Sequence, residues 1–416
     1  MDNQIIFSLD VGSSKVVSIA GSIGESIQVG GVSSYYYINS SKSNDFSAVN
    51  SGAICDLEFV SGKAGRALNE ARINADCSTG GVIVNVSGNN ICNHYAEKSI
   101  EINNQAVSAA TMQQLINDAR QIRHPEQYEI LDYEVQEYVL DDENYAINPI
   151  NLTANKISSN VNVFLANKSG IDNTRKVLKN TGFELAKLVP SGILSGMAVL
   201  NHEEKELGCC LIDIGAGTTD IVVYENGFIR YLASIPVGGE RITKDIASVL
   251  KISRNLAEDI KITYGGSSYV TTNTSQHKFG EGIHLTDHRG VNTTISRKLL
   301  VDVITKRLKE IFEAIKTTLQ KEQLYDIISS GIVLTGGASL LPHIEEFAKH
   351  SFDLPVRIGM PNYSGDFEDI VVNPRYATSI GSLYFAREYM LEELKSGISK
   401  SSGSSLVTKI KSIFKS

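Results

Sequence analysis

Leu211-Ile212-Asp213-Ile214-Gly215-Ala216-Gly217-Thr218-Thr219-Asp220 is an apolar run that ends in an aspartate, turns on glycine and hydroxyl residues, and continues as Ile221-Val222-Val223. This pattern reads as a strand, a tight turn and a second strand. The same plan stands near the start of the chain. Ile5-Ile6-Phe7-Ser8-Leu9 leads into Asp10-Val11-Gly12-Ser13-Ser14-Lys15, and Val16-Val17-Ser18 follows. Two copies of one hairpin imply an internal duplication. A third glycine turn, Thr335-Gly336-Gly337-Ala338-Ser339, follows the buried-strand run Ile332-Val333-Leu334. Its sequel, Leu340 to Lys349, has the pattern of a helix.

Glycines and small hydroxyl residues let backbone N–H groups approach phosphate oxygens closely. An aspartate at each strand end, Asp10 and Asp213, can hold a hydrated Mg²⁺ between the two turns. Two such hairpins face to face would grip a triphosphate. The flat corner Gly336-Gly337 would lie against a purine, with the start of the following helix turned toward the phosphates. Each turn alone is a common hairpin or helix-entry signal, but the three together predict an ATP cleft between two domains.

The rest of the chain is consistent with that reading. At 416 residues it exceeds one hydrophobic core, and 42% hydrophobic with 21% charged residues is ordinary for a folded protein. A net charge of −8 argues against a nucleic-acid partner. Cys55, Cys77, Cys92, Cys209 and Cys210 are odd in number and lack C-x-x-C spacing, which disfavours disulfides and zinc and points to a reducing compartment. Asp10 interrupts the first apolar run too early for a signal-peptide core. No stretch nears the ~18 apolar residues of a spanning helix. Helices are expected at 61–75, 111–122, 171–180, 241–250, 256–264 and 297–321. The texture becomes more polar from residue 89 to about 160, as if a subdomain were inserted there.

Residues 211–220, Ile235-Pro236-Val237-Gly238-Gly239 and Ile332-Val333-Leu334-Thr335-Gly336-Gly337-Ala338 make the chain similar to FtsA, the actin-like bacterial cell division family, over essentially its whole length. The resemblance implies an α/β, actin-like ATPase fold with two ribonuclease-H-like domains around a nucleotide cleft and inserted small subdomains. The first domain would comprise 1–86 and 161–205, with an SHS2-like insertion at 87–160. The second would comprise 206–240 and 321–395, with a small subdomain at 241–320. It further implies that Gly238, Gly239, Glu240, Arg241 and Lys244 line the adenosine side of the ATP site. Other expected ATP contacts are Gly12, Ser13, Ser14, Lys15, Gly215, Ala216, Gly217, Thr218, Thr219, Gly336, Gly337, Ala338 and Ser339, beside Asp10 and Asp213 at the metal.

In the same family the helix 297–321 receives the acidic C-terminal peptide of the tubulin-like FtsZ, which puts Arg297, Lys298, Arg307 and Glu310 at that contact. Further implied partners are other copies of the chain in an actin-like filament and later division proteins on the insertion. Actin-like ATPases place a polar, water-positioning residue upstream of the second turn, but residues 189–199 contain no Gln, Glu or His. Slow turnover is the expectation. Alternatives in the same superfamily are a pilus-assembly ATPase of the PilM type and a metabolite kinase. The kinase would need a catalytic aspartate and a substrate pocket that the sequence does not display.

Beyond Lys395 the segment 396–404 is a Ser/Gly/Lys tether, and 405–416 reads as an amphipathic helix. At ~100° per residue, Leu406, Val407, Ile410, Ile413 and Phe414 share one arc, with Lys409, Lys411 and Lys415 outside it. This pattern fits an interfacial helix on an anionic phospholipid membrane. The FtsA resemblance implies a peripheral place on the cytoplasmic side of the inner membrane, at the division septum.

Overall fold

The computed structural model describes residues 4–37, 48–78, 80–88, 91–146, 148–267, 282–286 and 292–396. The first meander is β1 (Gln4–Val11), β2 (Lys15–Ile23) and β3 (Ile27–Tyr36), followed by the small hairpin β4 (Val49–Asn50) and β5 (Ala53–Ile54). Helix α1 (Leu57–Asn74) starts where the Asp56 carboxylate accepts from Phe59 N, and it returns the chain to β6 (Gly81–Val86). An inserted unit comes next: β7 (Cys92–Ala106), α2 (Ala109–Arg120), β8 (Tyr128–Leu140), β9 (Asn144–Ala146) and β10 (Thr153–Asn167). Strand β10 runs on past residue 160, where the polar texture of the sequence ends. Then α3 (Lys168–Lys179), β11 (Leu185–Pro190), α4 (Ser191–Val199) and α5 (His202–Leu207) complete the first half.

The second half repeats the plan with β12 (Cys209–Ile214), β13 (Thr219–Glu225) and β14 (Phe228–Ile235). Helices α6 (Gly239–Leu250) and α7 (Arg254–Tyr264), the hairpin β15 (Gly282–Thr286) and β16 (Asn292–Ser296), and α8 (Arg297–Lys321) form a small subdomain. Strand β17 (Ile332–Thr335), α9 (Ile344–Phe352), β18 (Val356–Ile358), α10 (Glu368–Val371) and α11 (Ala377–Ser396) follow. The five-stranded sheet has order β11-β6-β1-β2-β3, and the other runs β18-β17-β12-β13-β14 before continuing as β7-β10-β8-β9. In both halves the hairpin is antiparallel and its first strand lies parallel to a later one, β1 with β6 and β12 with β17. The duplication in sequence is a duplication in topology, and the fold is the mixed α/β arrangement expected.

Alternate residues of a strand face opposite sides of its sheet. Cys209 and Leu211 accordingly join the core shared with the first domain, while Cys210, Ile212 and Ile214 join the core under α6 to α9. This also explains why adjacent cysteines are free: their side chains belong to different cores. Helices α4 and α11 lie between the two sheets. Helix α4 is buried on nearly every side, and its glycines let neighbours come close. A β carbon on Gly192 would sit 2.7 Å from Val222, and one on Gly196 2.8 Å from Tyr224 Oη.

The insertion is tied to both domains. Strand β14 pairs with β7 through a single residue pair, Ala233 with Cys92, and side chains supply the rest of the seam. Asn162 Nδ2 donates to Ile229 O (2.7 Å), Tyr95 Oη to Arg230 O (2.6 Å), and Ile229 N to Glu134 Oε2 (2.9 Å). Toward the first domain, Arg175 grips Glu129 through both nitrogens (2.6 and 3.1 Å), and Lys187 pairs with Asp132 at 2.5 Å.

Helices α4 and α11 come close at Gly381, where a β carbon would stand 1.7 Å from Leu194 O. Alanine is ~1 kcal/mol better than glycine in a helix interior, so the bare helix would gain from the change. We predict that Gly381→Ala instead lowers unfolding stability by about 3 kcal/mol, because backbone on one side of the contact must move. Denaturant titration that shows equal or greater stability would remove α4–α11 contact as the reason for this glycine.

Candidate nucleotide cleft

The two hairpin turns are built alike. Gly12 N donates to Lys15 O at 3.0 Å, and Gly215 N donates to Thr218 O at 2.9 Å. Asp10 lies opposite Val17 and Asp213 opposite Asp220, so each aspartate occupies the same place in its ladder. The turns meet across the cleft: a β carbon on Gly217 would fall 2.3 Å from Ser13 Oγ. Ser87 Oγ and Thr218 Oγ1 add a hydrogen bond of 2.9 Å between the domains.

Behind the turns, α4 supports both aspartates. Asn85 on β6 donates from Nδ2 to Asp10 Oδ1 (2.7 Å) and to Ser191 Oγ (3.0 Å), while its Oδ1 accepts from Val11 N (2.8 Å). One helical turn on, Ser195 Oγ donates to Asp213 Oδ2 at 2.5 Å and shares a 2.9 Å hydrogen bond with Thr378 Oγ1 of α11. Asn85, Ser191, Ser195 and Thr378 carry no glycine-turn signature, and sequence reasoning does not find them. Asp220 stands inside the second motif and is also buried here.

Dryness dominates the electrostatics. Burial is the largest cause in each case below. It pushes Asp10 up to about 6, against the opposing charge of Lys15 and with a further upward push from Asp213. Asp213 is pushed up to about 6 despite hydrogen bonds from Ser195 and Thr378. Asp220 is pushed up to about 7, with Asp213 as the next cause. Lys15 is pushed down to about 8 by burial, partly offset by Asp10 and reinforced by Arg375. The residue is only 9% exposed, and its Nζ has no hydrogen-bond partner among the described residues, resting 4.3 Å over the Tyr376 ring.

The third corner closes on Asp213. Gly336 has φ +83°, and a β carbon there would lie 2.2 Å from Asp213 Oδ1, so glycine is required on two counts. Gly337 is exposed, Ala338 half-buried, and Ser339 Oγ donates to Gly336 O at 2.7 Å. The helix expected from Leu340 is corrected here. A 3-10 turn spans Gly337–Leu340 and α9 begins only at Ile344. Pro342 is the cause, since it holds Leu341 in an extended conformation (ψ 127°) and defers the helix past it.

On the opposite side, the start of α6 docks on the second turn. Gly239 N donates to Gly215 O (2.9 Å) and Glu240 N to Ala216 O (2.8 Å), and Gly238 has no room for a side chain against those carbonyls. Buried Lys261 braces the corner from below through Gly239 O (3.2 Å), Thr243 Oγ1 (2.9 Å) and Glu258 Oε2 (2.7 Å). Glu240 is paired with Lys244 (3.4 Å) and Arg254, whereas Arg241 is exposed.

The residues fit a magnesium nucleotide. The Lys15 ammonium has no hydrogen-bond partner among the described residues, and two dry carboxylates stand behind facing glycine turns. Among the described residues no three His, Cys, Asp or Glu converge on a metal. Mg²⁺ keeps its waters and uses one or two carboxylates plus phosphates, a role that Asp10 and Asp213 would fill.

On α8, Arg297 and Lys298 are exposed at the first turn. Arg307 instead faces α6, pairing with Asp245 at 2.5 Å and also with Glu310. Leu406, Val407, Lys409, Ile410, Lys411, Ile413, Phe414 and Lys415 lie outside the described residues. No described helix is long and apolar enough to cross a membrane.

Comparison with known proteins agrees with this architecture. Residues 210–381 match the family model of the cell division protein FtsA, and 88–165 match that of the SHS2 domain inserted in FtsA. FtsA of Neisseria meningitidis serogroup B is 34% identical over 388 residues, covering 92% of this chain and 90% of that one. FtsA of Pseudomonas aeruginosa is 29% identical, covering 97% and 94%. FtsA of Escherichia coli K12 is 26% identical over 97% and 96%.

Among solved structures, the PilM-PilN type IV pilus biogenesis complex superposes with a TM-score of 0.61 at 14% identity, covering 92% of this chain and 98% of that one. MreB5 of Spiroplasma citri bound to ADP gives 0.54 at 17%, over 95% and 99%. The MamK double helical filament gives 0.51 at 13%, over 92% and 99%. These likenesses establish an actin-like fold and nothing finer. The sequence identity reaches further: this chain belongs to the FtsA family of bacterial cell division proteins.

Proposed function

We propose that this chain binds ATP with Mg²⁺ in the cleft, self-associates as an actin-like filament, and ties FtsZ filaments to the cytoplasmic face of the inner membrane at the division septum. The observation that carries the nucleotide reading is the buried Lys15 Nζ, without a hydrogen-bond partner among the described residues and close to Asp10, on the first of two matched turns whose aspartates are Asp10 and Asp213. Lys15 would hold the phosphate chain, the turn amides would orient it, and Asp10 and Asp213 would hold the hydrated metal. ATP serves mainly as a structural ligand. Residues 189–199 hold no Gln, Glu or His to orient a water, and the α4 hydroxyls of Ser191 and Ser195 are engaged in holding the aspartates' surroundings. Steady-state turnover at tens per second would contradict this.

The exposed Arg297 and Lys298 at the start of α8 are the cations best placed for an acidic FtsZ tail, because Arg307 is already paired with Asp245. Later division proteins dock on the inserted unit. The tail 405–416 supplies a weak interfacial anchor, which a filament multiplies through avidity.

Ligand binding to the folded state alone stabilises it by about 2.7 kcal/mol at a hundredfold excess over Kd. Magnesium-ATP should therefore raise the thermal midpoint of the full chain, and Lys15→Gln should remove most of that rise. A wild-type midpoint indifferent to magnesium-ATP defeats the nucleotide reading.

A carboxyl with its folded-state pKa above its unfolded one contributes stability at low pH and loses it as pH rises through the folded value. Asp220, held at about 7, is such a group. Without nucleotide, the wild type should lose stability relative to Asp220→Asn between pH 5 and 8, and a difference flat across that range would refute the buried-carboxylate account.

Flotation with anionic liposomes separates the two attachments. FtsZ should float only when this protein is present. Ile410→Glu with Phe414→Glu should release both proteins, while Arg297→Glu with Lys298→Glu should release FtsZ alone. FtsZ that still floats with the α8 variant would place its tail elsewhere.

A further inference from the structure

Arg375 lies outside every glycine turn and belongs to the 3-10 turn Pro374–Tyr376 that leads into α11. Its backbone is held by Asn373, whose Oδ1 accepts from Arg375 N at 3.1 Å. Its stem lies beside the exposed glycine corner, with Cγ 3.7 Å from the position of a β carbon on Gly337. The next residue, Tyr376, carries Lys15 Nζ over its ring at 4.3 Å. Two cations, one on the first hairpin and one at the head of α11, thus flank one stretch of cleft, near enough for Arg375 to disfavour the charge on Lys15.

Like charges held side by side cost free energy, and a polyanion between them turns one repulsion into two attractions. A guanidinium also presents a planar fork of donors that fits phosphate oxygens in pairs. Among the described residues, the Arg375 side chain forms no ion pair that would divert it from that task. We infer that Arg375 is the second cation of the nucleotide site, gripping the phosphate chain together with Lys15 and favouring the triphosphate over the diphosphate. The inference rests on the nucleotide reading above and assigns the source of selectivity within it.

The test is equilibrium binding of magnesium-ATP and magnesium-ADP to the full-length wild type, Arg375→Gln and Arg375→Lys. A charge-assisted hydrogen bond contributes enough that Arg375→Gln should weaken magnesium-ATP binding about tenfold or more. The loss should be smaller for ADP, and Arg375→Lys should recover part of it. Arg375 is exposed, so thermal midpoints without nucleotide should match and exclude misfolding. Wild-type affinity in Arg375→Gln overturns the assignment while leaving the nucleotide reading intact. Equal losses for ATP and ADP also overturn it, since they place Arg375 on a part common to both nucleotides and away from the γ-phosphate. A wild type with no affinity for either nucleotide overturns both claims together.

Discussion

Ser13 Oγ stands where a β carbon on Gly217 would have to be. That contact makes two remote hairpins into one site, since any side chain at 217 would hold the turns apart and let water reach the aspartates behind them. Once the turns touch, burial raises Asp10, Asp213 and Asp220 and lowers Lys15, so the charged form of each is costly. A dry cluster of this kind is stabilised by opposite charges brought in pairs, which is what a metal-bound polyphosphate supplies.

The contact is maintained from behind. Ser191 and Ser195, one turn apart on α4, reach the surroundings of Asp10 and Asp213 respectively, and Thr378 extends the second of these to α11. Helix α4 can sit between the two sheets because glycines 192 and 196 leave it thin, and Gly381 lets α11 press against its Leu194 carbonyl. A change in the separation of the aspartates therefore has to be taken up by α4, α11 or both. The inserted unit adds a second constraint, being bonded to β14 on one side and to α3 and β11 on the other.

Much of the fold was legible because its signals are local. Apolar runs ending in Asp and turning on glycine specify the hairpins, and helical spacing over 297–321 gives α8 with the bounds expected. The start of α9 departs from the sequence expectation because apolar spacing continues through Leu340 and Leu341 while Pro342 forbids the helix there. The cleft was legible only where it consists of turns. Asn85 and Ser195 act through positions that β6 and α4 acquire on packing, and a serine in a buried helix looks the same whether it meets a carboxylate or a backbone carbonyl. Arg375 was hidden for a different reason, since its neighbour Gly337 is distant in sequence and nothing in Asn373-Pro374-Arg375 marks a ligand.

On the proposed reading, α11 joins the two ends of the function. Its first turns hold Thr378 against the Ser195–Asp213 pair, and beyond its last described residue, Ser396, the sequence passes into the tether and the apolar tail. A helix as short as 405–416 is marginal in water, so membrane attachment depends on how many tails a filament presents at once. Filament growth in turn needs chains of one shape. A nucleotide that fixes the cleft fixes that shape, and slow hydrolysis serves such a role better than rapid turnover, because each turnover would release the closed form and remove a tail from the row.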